Sequence, residues 1–550
     1  MKKLIISCVL FGLCSVLLQA QNSNTKQADN YYKKLHFIDA IKAYNKVVDD
    51  RKDDDYVHLQ LATSYRLTSN SVEAEKWYAQ IVKKNKDPEN YFWYAQMLAA
   101  NRKYKEYKVA MQNFSSLKPA DSRAISFQKV PDLLEEIDKK EPGFSIKNAT
   151  LNSKYSDLGA VPFENRIYFA SARDTSGKIY PWNEEPTLDI FSAVVANDGF
   201  TDIKAVTGLL NTKFNEGTLT ISKDGKKMYF TRTNFLNGKY NKDAKGVSNL
   251  KIFSADLHGN NWENIQELPF NSNDYSCGHP SLSADGKILY FSSNMPGGYG
   301  GTDLYKVAIG STFGKPENLG ATINSPGDEQ FPFVDGDETL YFSSNGHVGL
   351  GGLDIFYVTL NNNVAQVTNI GRPLNSSHDD FSFTINTITG QGFITSNREG
   401  GNGSDDIYAI STIAVKQQPN SQNEEQPIIK QPKEEDAVAF RPIYFEFGKV
   451  DITANSAAEI DKVITAMKKD PKIKIMVNTY ADSNGSEAFN AKLTEKRATA
   501  IIDYILSNTI SKERLFYRGY GKSNQAIDCS PCTAEQDARN RRAEFIIINR

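Results

Sequence analysis

Three hydrophobic periods divide the chain. Between residues 27 and 120 apolar positions recur at helical spacing, and the pattern repeats itself. Ala28, Tyr31, Ala40, Tyr44 and Val47 return as Ala62, Tyr65, Ala74, Tyr78 and Ile81, each shifted by 34 residues. A third copy follows Asp87-Pro88 with Ala95, Leu98, Met111 and Phe114. Small residues let two helices approach and aromatics fill the grooves between turns, so stacked helix pairs are expected. From residue 145 to 413 the period shortens to alternating strands with tight Asp-Gly turns, as at Asp224-Gly225 and Asp285-Gly286. Towards the C-terminus Ile473, Ile475 and Val477 alternate as in a strand. Leu493, Ala500, Ile501 and Tyr504 then follow at helical spacing from Asn490 to Leu506.

The middle segment is itself repetitive. Tyr290-Phe291-Ser292-Ser293-Asn294 leads through Gly297-Gly298 and Gly300-Gly301 to Asp303-Leu304-Tyr305. The same unit runs from Tyr341-Phe342 to Asp354-Ile355-Phe356, and from Gly392-Phe393 to Asp406-Ile407-Tyr408. Earlier copies run from Tyr168-Phe169 to Asp189-Ile190-Phe191, and from Tyr229-Phe230 to Lys251-Ile252-Phe253. Each unit has room for one four-stranded blade, and radial closure would remove exposed sheet edges. These units resemble the WD-like repeats of TolB-type proteins, which implies a β-propeller of five blades, or six if the ends add one. The helical repeats at 21–140 resemble tetratricopeptide repeats, and their concave face implies protein partners.

Composition narrows the picture. A chain of 550 residues needs several cores, and 40% hydrophobic with 24% charged residues is ordinary for a water-soluble protein. The net charge of −2 gives no overall attraction to nucleic acid, and none is expected as a partner. Lys2, Lys3, the apolar run Leu4–Leu18 and Ala20 read as a secretory signal over residues 1–20. Cys8 and Cys14 sit poorly for a lipid-attachment site, so peripheral rather than lipid-anchored membrane association is expected. Residues 414–437 are rich in Gln, Asn, Pro and Glu and read as a flexible linker ahead of a domain at 438–550. Cys529 and Cys532 form C-x-x-C in a polar loop; in an oxidising compartment a local disulfide is favoured over zinc.

Catalytic chemistry finds little support. The six histidines, His36, His58, His258, His279, His347 and His378, show no paired-ligand spacing, and no G-x-S-x-G elbow is present. Gly297–Gly301 lacks the Lys-Ser/Thr of a phosphate loop, and Asp335–Glu338 reads as a hairpin turn rather than a calcium loop. We therefore expect no catalytic residues, no metal and no cofactor.

The charged groups that stand out are Asp482 and Arg497. They lie 15 residues apart across the strand-to-helix connection Tyr480–Asn490. Helix side chains lean toward the N-terminus, so Arg497 reaches back toward Asp482. Such a pair can grip a zwitterion, and an aspartate beside an arginine suits a fixed anion better than a general acid. With Asp482 on a loop and Arg497 on a polar helix face, truncating either is expected to leave the fold intact.

The stretch Ala481-Asp482-Ser483-Asn484-Gly485-Ser486, with Asn490, Leu493, Arg497 and Ala498, resembles the peptidoglycan-binding C-terminal family of OmpA. That family's motif runs roughly T-D-x-x-G-S-x-x-Y-N-x-x-L-S-x-x-R-A. Ile443–Phe447, Phe516–Gly521 and Asn540–Glu544 complete the outline of an α/β domain. The resemblance implies meso-diaminopimelate of peptidoglycan as ligand, with Asp482 on its ammonium and Arg497 on its carboxylate. It also implies site roles for Gly485, Ser486, Asn490 and Arg542. The order of helical repeats, propeller and OmpA-like domain resembles Bacteroidetes envelope proteins, including the PorE-type component of the type IX secretion system. A periplasmic scaffold associated with peptidoglycan and the outer membrane is expected, recruiting envelope or secretion-system proteins through its first two parts; the alternatives are a general outer-membrane-to-wall tether or an envelope hydrolase.

Overall fold

The computed structural model describes residues 24–413, apart from 141, 197–198, 335–338, 361–365 and 387–388. It also describes residues 440–549, apart from 483, 485–486, 523–526, 528 and 530–531. The expected signal with Cys8 and Cys14, the linker, the Asp335–Glu338 turn, and Gly485 and Ser486 therefore lie outside the described residues.

The N-terminal part is helical. Lys26–Lys33, Phe37–Asp49, Asp55–Leu67, Ser71–Lys84, Pro88–Ala100 and Tyr104–Leu117 each pack on the next, and the shorter Ser122–Lys129 and Leu133–Lys139 follow. Asp54, Asn70 and Asp87 cap their helices by accepting from the backbone N–H of Val57, Glu73 and Glu89. Leu35, Ser69 and Arg102 take positive φ at matching points in successive helix pairs. The positions that repeat in sequence are the ones that meet. Ala28, Ala40, Tyr44, Val47, Ala62, Ala74, Tyr78 and Ile81 are buried in one cluster, with Tyr31 and Tyr65 half-buried at its edge. Ala95, Leu98, Met111 and Phe114 belong to the adjoining core.

Residues 144–412 form five separate four-stranded antiparallel sheets. Their first strands are Asp157–Phe163, Glu216–Ile221, Cys277–Leu282, Glu329–Val334 and Asp380–Asn386. Each touches the next, and the fifth returns to the first. The fifth sheet takes its outer strand, Phe144–Asn148, from the start of the segment, with Ile146 opposite Ile410. The two ends of this segment thereby share one sheet, which ties the ring without closing any single sheet on itself.

Two devices repeat around this ring. In four of the five sheets the first residue of the innermost strand is a carboxylate residue that accepts a backbone N–H from four residues upstream; the third sheet has Cys277 there. Thr212 donates to Glu216 (2.8 Å) and Ser325 to Glu329 (2.7 Å), and Ser153 and Ser376 donate likewise to Asp157 and Asp380. An asparagine after the outermost strand then clasps the backbone of the third. Asn324 Oδ1 receives Leu304 N–H at 2.8 Å while its Nδ2 donates to Leu304 O at 3.1 Å. Asn152, Asn211, Asn271 and Asn375 do the same to Ile407, Ile190, Ile252 and Ile355. These bonds satisfy backbone groups that a sheet margin would leave open.

The helices sit against one end of the ring. Trp182 Nε1 donates to Leu67 O (3.0 Å) and its ring meets Phe37 edge-on at 4.7 Å. Ser69 donates to Asp379 at 2.8 Å, Gln96 to Asn345 O at 3.0 Å, and Arg372 pairs with Asp138 at 2.6 Å.

The C-terminal domain stacks helices Ala454–Lys469 and Glu487–Ser507 on a mixed sheet. In that sheet strand Lys474–Thr479 lies between Leu515–Gly519, parallel to it, and Arg542–Asn549, antiparallel. The expected opening strand shrinks to Ile443–Tyr444, and Phe445 turns inward into the core. Among the described residues no helix is long and apolar enough to cross a membrane.

Candidate functional site

The site forms where the central strand of the C-terminal sheet gives out. Tyr480 N–H donates to Arg542 O and Ala481 N–H to Gly521 O, both at 2.8 Å, and there the chain leaves the sheet. Helix Glu487–Ser507 begins a few residues later. Thr494, fully buried, joins the two elements: its hydroxyl donates to Asn490 O and accepts Gly521 N–H, while Thr479 Oγ1 donates to Thr494 O at 2.6 Å. The approach is so close that a Cβ on Gly519 would lie 2.6 Å from Glu495 N. Only glycine is tolerated there.

Asp482 is 3% exposed. Its Oδ1 accepts Asn484 N–H at 3.1 Å, and its Oδ2 accepts from Arg541 Nη1 at 2.8 Å. Asn490, also buried, donates to Asn484 O at 2.6 Å and fastens the loop to the helix. Asn484 Nδ2 reaches Asp537 at 2.7 Å, on helix Ala534–Asn540. The Cys529–Cys532 disulfide lies just ahead of that helix, whose start is closed by a capping box between Thr533 and Gln536.

Arg497 lies elsewhere than on a polar face. It is fully buried and is the bulkiest side chain so enclosed. Its Nε donates to Lys449 O (2.9 Å), Nη2 to Glu446 O (3.1 Å) and Nη1 more distantly to Tyr480 O (3.4 Å). Its guanidinium carbon stands 4.6 Å from the centre of the Phe445 ring. Burial and the like charge of Arg541 push its pKa down to about 10, partly offset by Asp482. Among the described residues Arg497 makes no ion pair with Asp482; Arg541 does. The expectation of a direct Asp482–Arg497 pair is therefore corrected, and so is that of an innocuous Arg497 truncation: the helix turns Arg497 inward to bond three carbonyls.

Arg542 requires a similar correction. Neighbours at a strand start point to opposite faces. Arg541 enters the site, where its Nε also bonds Phe445 O at 3.1 Å. Arg542 turns away to Glu544 (2.6 Å) and stacks 3.9 Å from the centre of the Tyr480 ring.

Phe447, Ala481, Asp482, Asn490, Arg497 and Arg541 line a narrow cleft whose cavity volume is about 10 Å³. It gathers one carboxylate and two guanidiniums, one of which, Arg541, has an Nη2 without a partner among the described residues. The charges of such a lining complement an ammonium beside a carboxylate. Among the described residues it offers no nucleophile held by a base. Arg541 lies in the Asn540–Glu544 segment, but its role was not legible before the strand boundary at Arg542 fixed which arginine faces in.

Residues 444–541 match the OmpA family model. Outer membrane protein A of Bordetella avium is 34% identical over 128 residues, spanning 22% of this chain and 65% of that one. Outer membrane porin F of Pseudomonas aeruginosa is 36% identical over 103 residues, 18% of this chain and 29% of that one. The solved peptidoglycan-associated lipoprotein from Burkholderia pseudomallei aligns at 22% identity over 19% of this chain and 88% of its own, with a TM-score of 0.19. The chain thus spans less than two thirds of these curated relatives. Its C-terminal domain is OmpA-like.

Proposed function

We propose that the protein is a non-catalytic scaffold of the bacterial envelope whose C-terminal domain holds peptidoglycan by the meso-diaminopimelate of its stem peptides. The reading rests on the cleft: Asp482 would receive the ligand's ammonium and Arg541 its carboxylate, with the charge of buried Arg497 behind them. Asn490 holds the loop that carries Asp482. Arg541 replaces Arg542 in this reading.

The remaining parts supply platforms. The ring of five sheets is read as a five-bladed propeller, and the 34-residue helix pairs as tetratricopeptide-like repeats. Both would recruit envelope proteins, and the domain order favours an assembly of the type IX secretion kind over a plain tether. Periplasmic residence follows from the wall as ligand.

Sedimentation of the full chain with purified peptidoglycan tests the wall reading. We expect co-pelleting, competition by free meso-diaminopimelate, and weak competition by lysine, which lacks the second carboxylate. Asp482→Asn keeps the shape of the side chain and removes its charge, and should abolish pelleting. Retention of that variant, or equal competition by lysine, would refute ammonium capture. Crosslinking in cells through residues 24–413 separates scaffold from tether: secretion-machine subunits on one reading, none on the other.

A further inference from the structure

The five sheets repeat closely except in one place. Between second and third strands, sheets three to five use nine-residue loops, 294–302, 345–353 and 397–405. Sheets one and two use 17 and 16 residues, 172–188 and 234–249, and each folds its excess into a hairpin. Ile179–Tyr180 pairs with Glu185–Pro186, and Phe235–Leu236 with Lys239–Tyr240 across an Asn237-Gly238 turn. The hairpins are neighbours. The first spends Trp182 on docking the helices through Phe37 and Leu67 O. Glu184 of the same hairpin also meets the helices through Lys42.

The rest of the pair is aromatic and basic together. Phe214 stacks on Tyr240 with ring centres 4.4 Å apart and planes 4° from parallel, and meets Phe235 at 5.0 Å. Lys178 and Lys213 stand 5.4 and 5.6 Å from the Phe214 ring centre, and Lys242 5.5 Å from that of Tyr240. Lys239 and Lys245 flank them on the same loop. All five lysines are exposed, and none has a carboxylate partner among the described residues. The nearby acids are already engaged: Glu184 with Lys42, and Asp243 with the backbone N–H of Lys245 and Val247. Ile179 is 57% and Tyr240 42% exposed. Exposed apolar groups ringed by one sign of charge mark an interaction surface.

We propose that this paired-hairpin surface binds the anionic headgroup layer of a phospholipid membrane. Charge complementarity selects an anionic partner. The bilayer interface also rewards Ile179, Phe235 and Tyr240 on the hairpin strands, with lysine stems lying along the apolar surface and their ammonium groups toward phosphate. The proposal is independent of wall binding: Asp482 and Arg541 lie in another domain.

The test is sedimentation of the full chain with vesicles of phosphatidylglycerol and phosphatidylethanolamine, against vesicles of phosphatidylcholine, in the absence of peptidoglycan. Binding should be confined to the anionic vesicles and weaken as salt rises. Each lysine contributes on the order of fivefold, so Lys178→Gln/Lys213→Gln/Lys242→Gln together should weaken it about 100-fold. These exposed changes should leave the melting temperature in place. Tyr240→Ser should also weaken binding, and Asp482→Asn should not. Equal binding to both vesicle types, no binding to the anionic ones, or full binding by the triple variant would overturn the proposal. So would retention of polyglutamate but not vesicles, which would assign the surface to an acidic protein.

Discussion

The sheet ring and the C-terminal cleft both bury charge, but the ring does so repeatedly and the cleft only once. In the ring, Asp157, Glu216, Glu329 and Asp380 occupy one position in four of the five sheets, each receiving a backbone N–H, and the third sheet has Cys277 there. Arg173, Arg232 and Arg398 answer three of them. A group that recurs in the same place in unit after unit has a structural explanation in the unit itself. Asp482, Arg497 and Arg541 have no such counterparts, and they line a cleft. The same reasoning singles out the paired hairpins, where the repeat is broken.

The largest expected separation of the two regions comes from pH. Burial pushes Glu329 up to about 8 and Asp405 up to about 7, against local hydrogen bonds that pull down. A carboxyl whose folded pKa is raised stabilises the fold fully below its ordinary value and loses that contribution as pH climbs through the folded value. The ring should therefore weaken between about pH 4 and 8. Arg497, at about 10, keeps its proton across that window, so the C-terminal domain should hold steady. Hydrogen exchange resolved by segment checks this. Equal weakening of both regions would remove the distinction.

Next in size is Arg497→Ala. It strands the carbonyls of Glu446, Lys449 and Tyr480 and opens a void beside Phe445. A loss of about 3–5 kcal/mol is expected, confined to the C-terminal domain, measured by denaturant unfolding followed at helix Glu487–Ser507. Loss of wall binding in that variant would then report unfolding. Asp482→Asn is the informative change.

How far these regions were legible in sequence follows from what periodicity can see. The 34-residue shift marks positions that are buried, since small and aromatic residues at helical spacing constrain packing directly. The strand and helix around Asp482 emerge from the same logic. The clasp does not, although Leu151-Asn152-Ser153, Leu210-Asn211-Thr212, Phe270-Asn271-Ser272, Ile323-Asn324-Ser325 and Leu374-Asn375-Ser376 stand in plain view. A reading keyed to aromatic and aspartate positions passes over an asparagine, because its partners are backbone groups that only tertiary structure brings near. Arg497 fails for a related reason: its acceptors are carbonyls at Glu446, Lys449 and Tyr480, which carry no side-chain signature.

A clasp can be removed singly. Asn324→Ala deletes a donor and an acceptor at Leu304, and should cost about 1–3 kcal/mol in the fourth and third sheets. Denaturation of the full chain gives the number, and peptidoglycan sedimentation of the same variant should be unchanged. A variant that lost wall binding without unfolding would couple the ring to the cleft and defeat the comparison.

The smallest change in stability sharpens the comparison most, because it concerns a buried asparagine of the other kind. Asn490 bonds one backbone oxygen, that of Asn484, in a loop held also by Asp482 and Asp537. Asn490→Ala removes one hydrogen bond beside a cleft that water can enter, so about 1 kcal/mol of domain stability is expected to go. Its effect on the ligand should be greater than that figure suggests. The loop carries the carboxylate that would receive the ammonium, and a loosened loop must be ordered again on binding. Wall affinity should therefore fall further than stability does, whereas Asn324→Ala should lower stability alone. If the two asparagines shift stability and wall binding in the same proportion, the division between repeated and unique burial has no functional meaning.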